Sequence, residues 1–168
     1  MPTPNDHTLL SHLDAAYNLA RWLMGNPIDA EDIVQDAYVR ALAGAAGFRG
    51  GDQRAWLLSI VRNACYSSYR RQRVRQATEF DEAVHGEDTV TASPEERAIN
   101  RDTSRRVRQA VESLAPEFRE VIVLREFEGL SYKEIADVMA VPVGTVMSRL
   151  SRARAQLHAA LAEQGGRA

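Results

Sequence analysis

The sequence predicts an all-α protein of two small helical domains joined by a flexible acidic linker, the second domain containing a helix-turn-helix. Three observations carry that expectation. Apolar residues recur at helical spacing throughout, and few β-branched runs alternate with period two. Glycine, proline and capping residues punctuate the pattern where helices would start and stop. Around Thr78 to Ala92 the periodicity lapses into an acidic stretch carrying Glu79, Asp81, Glu82, Glu87 and Asp88 with few large apolar residues, the composition of a linker. The expected limits are 8–75 for the first domain, 76–93 for the linker and 94–163 for the second. A chain of 168 residues accommodates two domains of that size.

The elements follow in order. A first helix covers Leu9 to Leu23, with Leu13, Ala16, Tyr17 and Ala20 on one face, and Gly25-Asn26-Pro27 ends it. Asp29 is expected to cap a second helix, with Asp32 echoing a capping box and Ile33, Val34, Ala37, Tyr38, Ala41 and Leu42 forming its buried stripe. A glycine-rich loop, Gly44 to Gly51, leads into a long third helix from about Arg54, which buries Trp56, Leu57, Ile60, Val61 and Ala64 before turning basic. Beyond the linker, Ser93-Pro94-Glu95-Glu96 restarts helical structure as cap, first-turn proline and capping-box glutamate. That helix presents Val107, Ala110, Val111 and Leu114 to the core. Pro116 starts the next, with Val121, Ile122 and Leu124 inward, and Gly129 closes it.

Ser131 caps a short helix with Glu134 as capping-box partner and Ile135, Ala136 and Met139 inward. The turn Val141-Pro142-Val143-Gly144 leads to a final helix from about Thr145. Two helices joined by a tight turn make a helix-turn-helix. The final helix sorts its faces. Val146, Leu150, Ala153 and Leu157 form an apolar line, while Thr145, Ser148, Arg149 and Arg152 form a polar, cationic one. A recognition helix needs that division, with one side docked and the other rich in donors for the major groove.

Composition narrows the function class. The apolar and charged shares are those of a globular chain, and no apolar stretch approaches the roughly 20 residues that cross a bilayer. The N-terminus lacks the basic-then-apolar order of a signal peptide, so the expected location is the cytoplasm, with no membrane insertion. Cys65 is the only cysteine, which excludes an internal disulfide, and its apolar helical setting predicts buried packing rather than a nucleophile. His7, His12, His85 and His158 are scattered without ligand spacing, so neither catalysis nor a cofactor or metal is expected. The net charge is only −2, but its distribution is uneven. Arg62, Arg70, Arg71, Arg73 and Arg75 form one acid-free basic run, and Arg149, Arg152 and Arg154 form another. Two surfaces facing phosphate would have this pattern, since local charge governs such contacts; so would two solvated helix faces.

The run Gly129-Leu130-Ser131-Tyr132-Lys133-Glu134-Ile135-Ala136, with Val141-Pro142-Val143-Gly144-Thr145-Val146 and Ser148-Arg149-Leu150, resembles the promoter-recognition domain of extracytoplasmic-function (ECF) sigma factors of the sigma-70 superfamily. In the front half, Asp29-Ala30-Glu31-Asp32-Ile33-Val34-Gln35-Asp36 is similar to that family's polymerase-binding helix. Phe48-Arg49 and Trp56-Leu57 through Ile60-Val61-Arg62-Asn63 are similar to the part that opens the promoter. The resemblance runs from about Leu9 to Leu161 and makes the two domains sigma region 2 and region 4 types.

It implies a sigma factor that binds core RNA polymerase through its clamp and flap regions and directs initiation at promoter DNA of a stress or envelope regulon, under an anti-sigma factor. Asp29, Glu31, Asp32, Gln35 and Asp36 are the implied polymerase-binding residues. Their acidic surface would aid encounter and register, although Asp29 and Asp32 also suit the positive end of their own helix. Phe48, Arg49, Arg62, Asn63, Tyr66, Tyr69 and Arg70 are implied at the melted minus-ten element, with Asn63 reading an extruded base. For the tyrosines, half-buried packing is the competing reading. Thr145, Met147, Ser148, Arg149 and Arg152 are implied at the minus-thirty-five element. Met147 stands where many relatives carry a basic residue, and methionine donates no hydrogen bond. Arg154 is either a phosphate contact or a solvated charge. Two other functions fit parts of the chain. A helix-turn-helix regulator would leave the Asp29–Asp36 helix idle, and a sigma-like decoy for an anti-sigma factor would be expected to lose the basic faces kept here.

Overall fold

Local capping chemistry sets most of the helix boundaries. The computed structural model describes residues 4–77 and 96–166, except for the side chains of Asp6 and of residues 96–100. The described elements are helical, as the sequence predicts. The expected linker lies outside the described residues apart from Gln76 and Ala77, and so does the Ser93 cap.

The single first helix expected over Leu9 to Leu23 is two. Asn5 and Thr8 form a capping box for α1 (Asp6–Leu10), and α2 (Leu13–Met24) begins anew. The Ser11 hydroxyl donates to the Thr8 carbonyl at 2.7 Å at this break, a local bond that competes with the helical ladder. Gly25 closes α2 in the left-handed region, φ 80°, where glycine alone is unstrained.

Helix α3 (Pro27–Gly44) also corrects the sequence reading. Its cap is Asn26, not Asp29: the Asn26 side-chain oxygen accepts the Asp29 N–H at 2.8 Å. Proline has no N–H to satisfy and takes the first helical position, which moves Asp29 inside the first turn. Ala30, Ile33, Ala37 and Ala41 are buried, and Val34 and Tyr38 are half-buried. Leu42 is exposed, because it lies roughly 100° around the helix from Ala41.

A short 3₁₀ turn, Ala45–Gly47, precedes α4 (Gln53–Gln76), which Asp52 caps by accepting the Ala55 N–H at 2.8 Å. Leu57, Leu58, Val61, Ala64 and Cys65 are buried, while Trp56 and Ile60 are half-buried. Beyond residue 95, among the described side chains of α5 (Glu96–Glu112), Ala110 and Val111 near its C-terminal end are buried, followed by Leu114. Val107, expected in the core, is 37% exposed: it lies a turn before Ala110 and Val111, where the buried part of α5 begins.

Helix α6 (Pro116–Ile122) starts at its proline and runs into one wider π turn, Val123–Phe127, ended by Gly129 at φ 67°. Ser131 and Glu134 form the expected capping box of α7 (Tyr132–Met139). Helix α8 (Val143–Gly165) begins two residues earlier than expected, directly after Pro142, and buries Val146, Leu150 and Ala153, with Leu157 half-buried.

Helices α2, α3 and α4 pack together, as do α6, α7 and α8. The two groups also pack against each other, α4 on α7 and α2 on α6 and the π turn. One apolar cluster therefore contains Leu57 and Val61 together with Val121, Ile122, Leu130 and Ile135. No described helix is long and apolar enough to cross a membrane.

Candidate nucleic-acid interface

Four regions carry the residues singled out by the sequence. On α3, Glu31, Asp32, Gln35 and Asp36 are exposed. Asp29 is half-buried, and its carboxylate accepts from the Asn26 side-chain amide, so it serves the helix start. The structure adds Ile28 and Val39, which are 72% and 64% exposed. With Leu42 they share a face with Asp32 and Gln35, spaced i, i+4, i+7, i+11 and i+14 from Ile28. Sequence reasoning missed them, although both fall outside the inward line of alanines and Ile33. An exposed apolar stripe edged by carboxylates suits a basic, partly apolar partner helix.

In the loop before α4, the half-buried Phe48 ring meets Trp56 edge-on at 5.2 Å, while Arg49 is exposed. Gly50 and Gly51 take φ of 90° and 102°, conformations that side chains rarely adopt.

Helix α4 divides its candidates between two faces. Asn63 and Arg70 are exposed. Arg62 instead turns toward α6 and grips Glu120 with a forked pair of hydrogen bonds, Nε to Oε2 at 3.0 Å and Nη2 to Oε1 at 3.2 Å. The Glu120 side chain is wholly buried and that of Arg62 is 17% exposed. Arg62 also lies over the Tyr66 ring, 4.5 Å from its centre, and Tyr66 meets Tyr69 edge-on. A cleft of about 360 Å³ lies along Tyr66, Tyr69, Arg70, Arg73 and Pro116, with the proline supplied by α6. Tyr66 and Tyr69 are both half-buried.

Burial decides the electrostatics here. It raises the Glu120 carboxyl above the ordinary glutamate range, against the lowering effect of Arg62. Burial raises the Tyr66 phenol as well, helped by the negative charge of Glu120. Cys65 is pushed up to about 12, chiefly by burial and then by Glu120. Cys65 is buried and unpaired with another cysteine, the buried packing expected from the sequence.

On α8, Ser148 and Arg152 are exposed, and Thr145 and Arg149 are half-buried. Met147 is 54% exposed, but at roughly 100° per residue it falls on the opposite edge of the helix from Arg149, in line with Arg154. Arg154 pairs with Glu126 at 2.6 Å. This carboxylate neighbour was not foreseen, being 28 positions away. The helix-turn-helix scaffold is held by Ile135, Val146 and Leu150, each buried to within 1% of complete. Among the described residues, no cluster of His, Cys, Asp or Glu has the makings of a metal site.

The comparisons agree with this geometry. Residues 9–75 match the family model for sigma-70 region 2, and residues 104–157 match that for sigma-70 region 4. The chain is 35% identical to the ECF RNA polymerase sigma factor SigE of Mycolicibacterium smegmatis, over 94% of this chain and 62% of that one. It therefore spans a little under two thirds of that relative's length. It is 36% identical to the RNA polymerase sigma factor YlaC of Bacillus subtilis, over 76% of this chain and 75% of that one. Among solved structures it resembles the sigma factor RpoE of Bartonella quintana, crystallised with the anti-sigma factor NepR. The TM-score there is 0.74, at 31% identity, over 92% of this chain and 94% of that one.

Proposed function

Since this chain belongs to the sigma-70 family, among its ECF members, we propose that it binds core RNA polymerase and directs promoter-specific transcription initiation. The observation that carries the reading is the presence on one chain of three distinct surfaces. A helix-turn-helix exposes Ser148 and Arg152, α4 exposes Asn63 and Arg70, and α3 exposes an acidic, apolar-striped face. A duplex-binding regulator needs only the first.

In this reading Asp32, Gln35 and Asp36, with Ile28 and Val39, meet the polymerase clamp. Glu31 flanks them, and Asp29 keeps the helix start in order. Asn63 reads an extruded minus-ten base, Arg62 and Arg70 follow its backbone, and Phe48, Arg49, Tyr66 and Tyr69 shape the base pocket. Thr145, Ser148, Arg149 and Arg152 face the minus-thirty-five duplex. Met147, on the other edge of α8, supplies apolar contact. The chain works in the cytoplasm as two units, and an anti-sigma factor holds it inactive, as the Bartonella complex suggests by analogy.

Run-off transcription with bacterial core polymerase, this chain and a pool of host genomic fragments tests the proposal. Discrete starts that Asn63→Ala or Arg149→Ala abolishes or redirects support it. Duplex binding without polymerase recruitment makes the chain a simple regulator. No starts and no DNA binding make it a decoy. Native purification that returns only free chain or polymerase complex removes the anti-sigma part.

A further inference from the structure

The edge of α8 that carries Met147 and Arg154 holds an ion pair with no part in the functions assigned above. At roughly 100° per residue, the line of Val146, Leu150, Ala153 and Leu157 defines the inward side of α8, and Arg149 and Arg154 lie about 70° to either side of it. Ser148, Ser151 and Arg152, all exposed, lie on the face between these two edges, turned away from the core. A helix seated in the major groove runs between two phosphate strands, so a long cation at either edge is placed to meet phosphate.

Arg154 is already engaged. Its Nη2 and Nε both donate to Oε1 of Glu126, at 2.6 and 3.1 Å. Glu126 belongs to the π turn, where its neighbour Arg125 turns aside. The Arg125 guanidinium donates to the Leu130 carbonyl at 2.8 Å and lies over the Tyr132 ring, 4.9 Å from its centre. The side chains of Arg154 and Glu126 are 50% and 45% exposed, so the pair sits at the surface rather than in the core. A pair this exposed adds little to the stability of the fold. Its larger effect is on charge. The carboxylate cancels a cation at the groove edge, and it is itself repelled by phosphate.

We infer that Glu126 stands in for phosphate on α8, holding Arg154 back from the DNA backbone and keeping the chain's sequence-independent grip on duplex weak. This rests on the sigma reading only in taking α8 as the helix that meets duplex DNA. Phosphate contacts supply affinity without sequence information, whereas base contacts supply discrimination. Withholding one phosphate contact leaves Ser148, Arg149 and Arg152 to read the duplex, and makes firm binding depend on what the other surfaces of the chain engage.

The test compares the full chain with Glu126→Gln and with the double variant Glu126→Gln/Arg154→Ala. Both positions are exposed, and circular dichroism melts should be unchanged. Fluorescence anisotropy with a labelled mixed-sequence duplex, from about 50 to about 200 mM salt, reads affinity and its salt slope. One added phosphate contact steepens the slope of log affinity against log salt by about 0.9. Glu126→Gln should show that increment and bind severalfold more tightly at the low-salt end. The double variant should return to the slope and affinity of the unaltered chain, because both members of a neutral pair are then gone. An unchanged slope in Glu126→Gln overturns the inference, as does an absence of duplex binding by that variant at the lowest salt. A double variant weaker than the unaltered chain overturns it too, since Arg154 then holds phosphate beside its carboxylate. So does a double variant as steep as Glu126→Gln, since Glu126 then acts by its own charge alone. Run-off transcription is scored separately. Discrete starts with an unchanged slope defeat the inference alone, and missing starts with the expected slopes defeat the sigma reading alone.

Discussion

The Arg62–Glu120 pair makes an asymmetric prediction: removing the arginine should harm the fold far more than removing the glutamate. The reason is exposure, since the Glu120 side chain is wholly buried while that of Arg62 keeps 17% of its surface in water. Arg62→Met strands a carboxylate in the interior, a change that typically costs about 3–5 kcal/mol. The carboxylate has an escape in taking a proton. Protonating a glutamate of ordinary value, about 4.3, sets that ceiling at about 3.7 kcal/mol at pH 7. Glu120→Leu leaves Arg62 at the water's edge, still over the Tyr66 ring, and should change stability by less than about 1 kcal/mol in either direction.

The sign of the pH dependence follows from burial. Glu120 is raised in the folded chain, so its folded form favours the proton and its stability contribution is present at low pH and lost as pH rises. Losing Arg62 removes the group that lowers this carboxyl and raises it further, so the Arg62→Met deficit should shrink as pH falls from 7 to 5. Urea unfolding followed by circular dichroism, on both single variants and the double variant at the two pH values, reads all of this. The double variant should resemble Glu120→Leu, which makes the coupling about 2–3 kcal/mol. The reasoning fails if Glu120→Leu costs as much as Arg62→Met, or if the Arg62→Met deficit is the same at both pH values.

Three further outcomes are expected. Ala140→Gly should raise stability by about 1 kcal/mol in a urea melt, since Ala140 sits between α7 and α8 in the left-handed region at φ 54°. Cys65, with its thiol raised to about 12, should resist iodoacetamide at pH 8 in the folded chain and react promptly in urea. Ser131→Ala removes the acceptor of the Glu134 N–H at 3.2 Å, and should cost about 0.5–2 kcal/mol and weaken duplex binding without altering the sequence preferred.

Local chemistry was legible and long-range pairing was not. The Ser131–Glu134 capping box, the Pro116 start, the left-handed Gly25 and the burial of Val146, Leu150 and Ala153 could all be read from neighbours a few positions apart. Even local signals misled where two competed. Asn26, Asp29 and Pro27 all suit a helix start, and the missing N–H of proline decides for Asn26. The split between α1 and α2 lay hidden because Leu9 and Leu13 keep helical spacing across it. Arg62 was read as part of an acid-free basic run facing DNA, since nothing within a helical turn opposes it; its partner Glu120 lies 58 positions on. Glu120 itself drew no notice, as an isolated glutamate between Arg119 and Val121 is ordinarily solvated.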